Sequence, residues 1–170
     1  MTPRPLFAFA ALLCAALLGY AYYAQYALGY EPCPLCIFQR VGVFLVGLVA
    51  LVATLHGPRR TGRRVYGVLG ALFATAGAVV AGRHLWLQNL PPEAVPDCGP
   101  GLEYMFDVFP MLDALKLVFK GSGECANVDW ALLGLSMPGW VLIAFVALAL
   151  YLLWVGFRSG GRESQIRSYI

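Results

Sequence analysis

The chain has 170 residues, of which 60% are hydrophobic and only 12% are charged. A soluble domain typically contains about 45–50% apolar and about 25% charged residues. The composition therefore excludes an ordinary soluble domain, and the net charge of +3 is informative only through the positions of the charged residues.

Four apolar runs are each long enough to cross the hydrocarbon core of a bilayer, which takes roughly 20 helical residues. They cover about residues 6–28, 37–55, 66–87 and 137–157. Because the bilayer interior offers the backbone no water to bond, runs of this length must be helical. The sequence thus predicts an all-α membrane protein, a single four-transmembrane-helix bundle over residues 1–170. The first run is too long for the apolar region of a secretory signal peptide, so we interpret it as an uncleaved helix.

The charged residues divide between the two ends of the predicted helices. One end is flanked by arginines, namely Arg4, Arg59, Arg60, Arg63, Arg64, Arg158, Arg162 and Arg167. The other end carries a short loop, about residues 29–36, and a long loop, about 88–136, with seven acidic residues and two lysines. The positive-inside rule places both termini and the arginines in the cytoplasm. A nucleic-acid-binding patch at residues 59–64 is the alternative, but topology already accounts for these arginines.

Four of the five cysteines fall in the two loops on the non-cytoplasmic side. Cys33 and Cys36 form a CxxC pair where the second helix begins, and Cys98 and Cys125 lie in the long loop. Disulfides persist in oxidising compartments, so this distribution agrees with the topology from charge. The fifth, Cys14, lies in the middle of the first helix, where we expect it to pack as a small apolar residue.

Three interpretations of the four outer cysteines compete. Zinc ligation is disfavoured because Cys98 and Cys125 lie 27 positions apart and form no second CxxC pair. Structural disulfides in a membrane scaffold protein remain open on spacing alone, since closing a long loop can stabilise a fold by roughly 3–4 kcal/mol. The third interpretation is a catalytic relay in which the cysteines exchange disulfides.

The surroundings of the CxxC pair favour the relay. Pro34 suits the first position of a helix, which puts Cys33 and Cys36 at a helix N-terminus. The partial positive charge there favours the thiolate, the form that attacks a disulfide. Arg40 follows Cys36 by one turn on the same helical face, where its charge stabilises the thiolate further. A purely structural disulfide has no need of this arrangement.

Arg40, and His84 near the outer end of the third helix, each have a second interpretation. Arginine often lies at a membrane interface with its charged head in water, and this anchoring role needs no chemistry. Within the apolar segment, however, a charge costs at least a few kcal/mol, which favours a functional role. Position alone leaves both interpretations open.

A cysteine pair that oxidises other thiols must itself be reoxidised. The chain has no GxGxxG motif after a strand for a flavin or nicotinamide cofactor, no CxxCH for covalent haem, and only two histidines. A lipid-soluble quinone is the acceptor that remains, and it would explain why a thiol oxidase is built of membrane helices.

In the long loop, apolar residues at helical spacing over about 108–119 predict a short amphipathic helix on the membrane surface. An ordinary helix packed on the loop is the alternative there.

Several motifs together are more specific than any one cysteine pair. They are Glu31-Pro32-Cys33-Pro34-Leu35-Cys36-Ile37-Phe38-Gln39-Arg40, Arg83-His84-Leu85-Trp86-Leu87-Gln88, Pro96-Asp97-Cys98-Gly99, Gly123-Glu124-Cys125 and Leu133-Gly134-Leu135-Ser136-Met137-Pro138-Gly139-Trp140. With these motifs the chain resembles the bacterial disulfide bond formation protein B (DsbB) family along nearly its whole length. In bacteria, DsbA, DsbB and quinone keep the periplasm oxidising.

The resemblance implies a thiol:quinone oxidoreductase of the bacterial inner membrane, with periplasmic redox loops. Cys98 is then expected to form a mixed disulfide with a reduced DsbA-like protein, and the Cys98–Cys125 pair to accept its electrons. Cys33 then couples to Cys125, which leaves Cys36 as the thiolate that donates to the quinone.

The resemblance also assigns the cofactor site. Arg40 and His84, together with Cys36, match residues near the quinone ring, and ubiquinone or menaquinone would pass the electrons to the respiratory chain. Cys14 is not part of the shared pattern, and neither a metal nor a nucleic acid is expected. The alternative function is a disulfide-stapled four-helix membrane scaffold without redox turnover.

Overall fold

A computed structural model describes residues 4–91, 93, 123–126, 128 and 130–158 of the chain. Its four long helices are α1 (Arg4–Tyr26), α2 (Pro34–His56), α3 (Arg60–Gln88) and α4 (Met137–Phe157). Each of them is long and apolar enough to cross a membrane. The predicted all-α bundle of four transmembrane helices is confirmed. The amphipathic helix predicted over about 108–119 lies outside the described residues.

Two of the helices begin three or more residues before the apolar runs that predict them. α2 begins at Pro34 rather than near residue 37, and α3 begins at Arg60 rather than near residue 66. An apolar run marks only the part of a helix that lies in hydrocarbon. Backbone hydrogen bonding continues into the headgroup region, where long arginine side chains reach water.

Contacts between the helices show that sequence neighbours run antiparallel. Cys14 of α1 packs against Gly47 of α2, where an added Cβ would lie 2.9 Å from the Cys14 Cβ, while Arg40 of α2 bonds to Gln25 near the end of α1. Gly57, with φ 59°, ends α2, and its backbone N–H donates to the Ala53 carbonyl at 3.0 Å. This left-handed cap lets α3 begin after a very short connection.

The interface between α3 and α4 depends on small residues. A Cβ added at Gly67 would lie 2.7 Å from the Leu152 carbonyl oxygen and 2.8 Å from the Gly156 Cα, and one added at Gly77 would overlap the buried ring of Phe145. Since lipid tails are as apolar as leucine, membrane helices associate through such close packing rather than through burial of apolar surface from water. The main core is formed by buried side chains of all four helices, and large apolar side chains on the outer faces are left for lipid.

A short β-hairpin leads into α4. Strand β1 (Ala131–Leu132) pairs antiparallel with β2 (Leu135–Ser136), with Ala131 opposite Ser136. The turn uses Leu133 and Gly134, whose φ angles of 53° and 79° lie in the left-handed region that two-residue hairpins require. The Ser136 hydroxyl donates to Gln88 Oε1 at 2.6 Å, which ties the start of α4 to the end of α3.

A pair of glycine substitutions in α3 tests this packing. Gly77→Ala should lower the free energy of unfolding by about 1–3 kcal/mol, because its methyl group must displace the Phe145 ring. Gly82→Ala is the matched control, since a Cβ there meets nothing within 4 Å and alanine favours a helix by up to about 1 kcal/mol. Thermal unfolding in detergent measures both. Equal stability of the two variants would contradict the close α3–α4 approach.

Candidate active site

The CxxC pair lies at the N-terminus of α2. Cys33 has extended backbone, with φ −67° and ψ 163°, and caps the helix, and Pro34 follows in the first turn. The Cys33 thiol donates to Cys36 Sγ, with the two sulfur atoms 3.2 Å apart and no disulfide between them in this structure. Both sulfurs lie at the positive end of the helix dipole, which stabilises a thiolate. The prediction that the helix begins at Pro34 is confirmed.

Cys125 lies beside this pair although it is distant in sequence. It belongs to a 3₁₀ helix (Gly123–Ala126) that packs against α3, and it is buried in a small cluster with Cys33, Val80 and Leu87. Its Sγ lies within 4.8 Å of both Cys33 Sγ and a ring nitrogen of His84. A disulfide needs an S–S distance of about 2.05 Å, so a small movement would join Cys33 and Cys125.

The remaining two cysteines stand apart from this group. Cys98 lies outside the described residues, so its pairing with Cys125 stays a prediction. Cys14 is 1% exposed and packs in the main core between α1 and α2. Of the cysteines that the structure describes, three meet at one end of the bundle and Cys14 does not join them.

His84 of α3 is buried against both members of the CxxC pair. Its Nε2 lies 3.8 Å from Cys33 Sγ and its Nδ1 lies 3.9 Å from Cys36 Sγ. Gln39 Nε2 donates to His84 Nδ1 at 3.1 Å, which leaves the proton of the neutral ring on Nε2, the nitrogen nearer to Cys33. The Nε2–H group of His84 therefore points toward this sulfur and stabilises negative charge on it.

Sequence reasoning did not single out Gln39 as part of the site. Its side chain is 4% exposed within a membrane-spanning helix, and its amide holds the imidazole from the α2 side. The clues in the sequence were its place in the Glu31–Arg40 motif and its polar side chain inside an apolar segment, where an unbonded polar group is costly.

Arg40 is held on one wall of the site by α1. Its Nη1 donates to Gln25 Oε1, its Nη2 donates to the Ala21 carbonyl at 3.1 Å, and its guanidinium lies 5.2 Å from the centroid of the Tyr22 ring. These contacts satisfy the charged group within the apolar segment and fix its position. The α1 partners were not predicted, because nothing in the local sequence links them to Arg40.

A cavity of about 380 Å³ opens in front of these groups. Many of its lining residues are apolar side chains of α1, α2 and α4. Its polar lining groups include Gln25, Glu31, Cys33, Cys36, Gln39, Arg40, His84 and Gln88. Small-molecule sites are typically apolar clefts of about 300–1,000 Å³ with a few convergent polar groups. The geometry therefore supports a small ligand that reacts with or near Cys36.

Comparison with known proteins gives consistent matches. The family model for disulfide bond formation protein DsbB matches residues 3–155. Disulfide bond formation protein B of Methylococcus capsulatus is 54% identical over 148 residues, which cover 87% of this chain and 90% of that protein. The protein of the same name from Azoarcus sp. is 53% identical over 91% of this chain and 92% of that protein, and that from Nitrosococcus oceani is 50% identical over 91% of each.

These matches cover the four membrane helices and the cysteine site together. The family model spans residues 3–155, and the relatives are at least half identical over about nine tenths of their own lengths. The chain belongs to the disulfide bond formation protein DsbB family and is a multi-pass membrane oxidoreductase that forms disulfide bonds.

Proposed function

We propose that this protein reoxidises a periplasmic DsbA-like dithiol protein and passes the electrons through Cys98–Cys125 and Cys33–Cys36 to a membrane quinone. The observation that carries the proposal is the row of sulfur atoms that leads to the cavity. Cys125 Sγ lies within 4.8 Å of Cys33 Sγ, and Cys33 Sγ lies 3.2 Å from Cys36 Sγ on the cavity wall.

The proposed exchange balances at each step. A thiolate of the reduced partner attacks Cys98, breaks the Cys98–Cys125 disulfide and releases the thiolate of Cys125. The second partner thiol then displaces Cys98 and leaves the partner oxidised. Attack of Cys125 on Cys33 breaks the Cys33–Cys36 disulfide and releases Cys36 as a thiolate. Cys98 then attacks Cys125, which restores the Cys98–Cys125 disulfide and leaves Cys33 and Cys36 as a dithiol. Each cycle thus carries two electrons and two protons from the partner dithiol to the CxxC pair.

His84 and Gln39 are suited to stabilising a thiolate in this exchange. The Nε2 proton of His84 lies on the side of Cys33, so the neutral ring points its N–H at that sulfur and stabilises negative charge on it. The Gln39 amide keeps the ring in this orientation through its bond to Nδ1. Both side chains are buried, which excludes competing water from the sulfur atoms.

The cavity fits a quinone head group. Its apolar walls suit the ring and the first part of an isoprenoid tail, while Arg40, His84 and Cys36 supply a cation, a hydrogen-bonding ring and a nucleophile. A bound quinone supplies the acceptor for two electrons and two protons. Ubiquinone and menaquinone both meet these requirements, and either would pass the electrons to the respiratory chain.

The two ends of the bundle support an inner-membrane orientation with cytoplasmic termini. The redox site lies at the end where α2 begins and α3 finishes, and the arginines cluster at the opposite end. There Arg63 Nη2 donates to the Arg158 carbonyl, and Arg64 stacks on Phe157 with 5.7 Å to the ring centroid. The positive-inside rule assigns the arginine-rich end to the cytoplasm and the redox site to the periplasm.

Anaerobic mixing of the purified protein with reduced DsbA and a soluble quinone tests the proposal. The native protein should form quinol at a rate that depends on both reactants. Cys36→Ser and Cys125→Ser should each abolish quinol formation, because each removes one sulfur from the relay. A native protein that forms no quinol would refute the relay and favour the disulfide-stapled scaffold.

Cys14→Ala is the matched thiol substitution in the same assay. Cys14 is a buried cysteine in the main core, away from the three clustered sulfurs, so its loss should change turnover by no more than about twofold. The substitution should cost about 1 kcal/mol of stability at most through lost packing. A tenfold loss of turnover in folded protein, on the order of 1.4 kcal/mol in activation energy, would bring Cys14 into the relay.

Arg40→Ala should slow quinone reduction by at least about tenfold and raise the apparent KM for quinone, because a guanidinium favours both the Cys36 thiolate and negative charge on the acceptor. Quinone reduction by Arg40→Lys should be intermediate between the native protein and Arg40→Ala, since lysine keeps the positive charge but lacks the planar guanidinium with its several N–H donors. Exchange between DsbA and the protein should stay nearly normal. Single-turnover kinetics separates the two half-reactions.

Arg83→Ala is the control that removes a positive charge outside the cavity. Arg83 is an arginine of the same end of the bundle, stacked on Trp86 with 4.1 Å to the ring centroid, and it is not among the described residues that line the cavity. Quinone reduction should therefore survive its removal. If Arg40→Ala slowed only the DsbA step, or neither step, Arg40 would be a membrane anchor.

A further inference from the structure

The three clustered groups beside α2 have the composition of a metal site. The ligand atoms of Cys33, His84 and Cys125 all lie within 4.8 Å of one another, and the three residues are 8%, 2% and 1% exposed. We infer that the dithiol form of this protein binds one thiophilic divalent cation, of the zinc type, through these three side chains. This binding is a property separate from electron transfer to quinone.

The distances suit a tetrahedral ion. With zinc–sulfur bonds of about 2.3 Å and zinc–nitrogen bonds of about 2.0–2.1 Å, neighbouring ligand atoms lie about 3.5–3.8 Å apart. Cys33 Sγ and His84 Nε2 are already 3.8 Å apart. The sulfur of Cys125 needs to approach by no more than about 1 Å to complete the set.

Charge and polarity also favour the ion. Two thiolates neutralise a divalent cation, so the complete site carries no net charge and tolerates burial. On binding, the thiols of Cys33 and Cys125 each release their proton to solvent, and the two sulfur–metal bonds form. A set of two cysteines and one histidine with one open position is known from catalytic zinc sites.

Gln39 can serve as the outer partner of the histidine. When Nε2 of His84 binds the ion, the ring proton must be on Nδ1. A half-turn of the Gln39 carboxamide places its oxygen where its nitrogen now lies, 3.1 Å from Nδ1, and this oxygen accepts the proton. Metal-bound histidines nearly always have such a partner, which fixes the ring.

Oxidation state controls this site. A disulfide from Cys33 to Cys36, or from Cys125 to another cysteine, removes a thiolate ligand, so only the reduced protein binds the ion. A bound ion in turn blocks attack of Cys125 on Cys33, and this inhibition, unlike the binding itself, rests on the proposed relay. The cation is thus expected to trap the reduced protein.

Cobalt(II) is the probe for this site, because its spectrum reports both thiolate ligands and tetrahedral geometry. Anaerobic titration of the reduced, detergent-purified full chain should give thiolate charge-transfer bands and tetrahedral ligand-field bands at one ion per chain, which zinc removes. Cys33→Ser, Cys125→Ser and His84→Gln should each weaken binding by at least about tenfold. Cys14→Ala, which also deletes a buried thiol, should bind like the native chain. Circular dichroism verifies that each variant retains its helices.

Several outcomes would overturn the inference. They are a reduced native chain without thiolate bands, binding that survives Cys125→Ser, or equal binding by the oxidised protein. These results are distinguishable from failure of the proposed function. If the protein forms quinol but binds no cobalt, only the metal-site inference is refuted. If it binds cobalt but forms no quinol, only the proposed relay is refuted.

Discussion

The hydrogen bond between Gln39 and His84 is the interaction on which the site depends. It joins α2 to α3 at the level of the CxxC pair, with 3.1 Å between the amide nitrogen and Nδ1. A buried polar pair in a membrane protein cannot exchange its partner for water, so each group holds the other in place. The imidazole therefore faces Cys33 rather than rotating freely, and Cys125 Sγ lies within 4.8 Å of one of its ring nitrogens.

The rest of the bundle maintains this alignment of α2 and α3. The glycines of α3 let α4 approach closely, and the bond between Ser136 and Gln88 ties the beginning of α4 to the end of α3. On the other side α1 contributes Gln25 and the Ala21 carbonyl, which bind Arg40. A membrane bundle without strong hydrophobic association relies on such close contacts and internal hydrogen bonds for its specificity.

The same arrangement separates two kinds of chemistry within a few ångströms. Cys125 and Cys33 meet in a buried cluster, where the proposed thiol exchange would be shielded from water. Cys36, one turn further along α2, is less buried and borders the apolar cavity that opens toward Arg40. A helix N-terminus serves both sulfurs, because its partial positive charge stabilises whichever of them carries the thiolate.

The sequence by itself determined the four helices, because the bilayer requires each long apolar run to satisfy its own backbone hydrogen bonds. It also determined that the CxxC pair begins a helix, since proline at the first turn is a local rule, and its motifs identified the family. The hairpin before α4 was missed because Leu133 takes a left-handed conformation that non-glycine residues rarely adopt.

Only the tertiary structure decided which distant groups meet. The bond from Gln39 to His84 spans 45 positions, and Arg40 reaches back 15 positions to Gln25. Cys125 comes close to Cys33 because a short 3₁₀ helix packs on α3. The wide separation of the cysteines along the sequence argued against a metal site, but in the fold Cys33, His84 and Cys125 lie together. Spacing reports on neighbours along one helix, whereas the packing of four helices depends on side-chain shapes along their whole lengths.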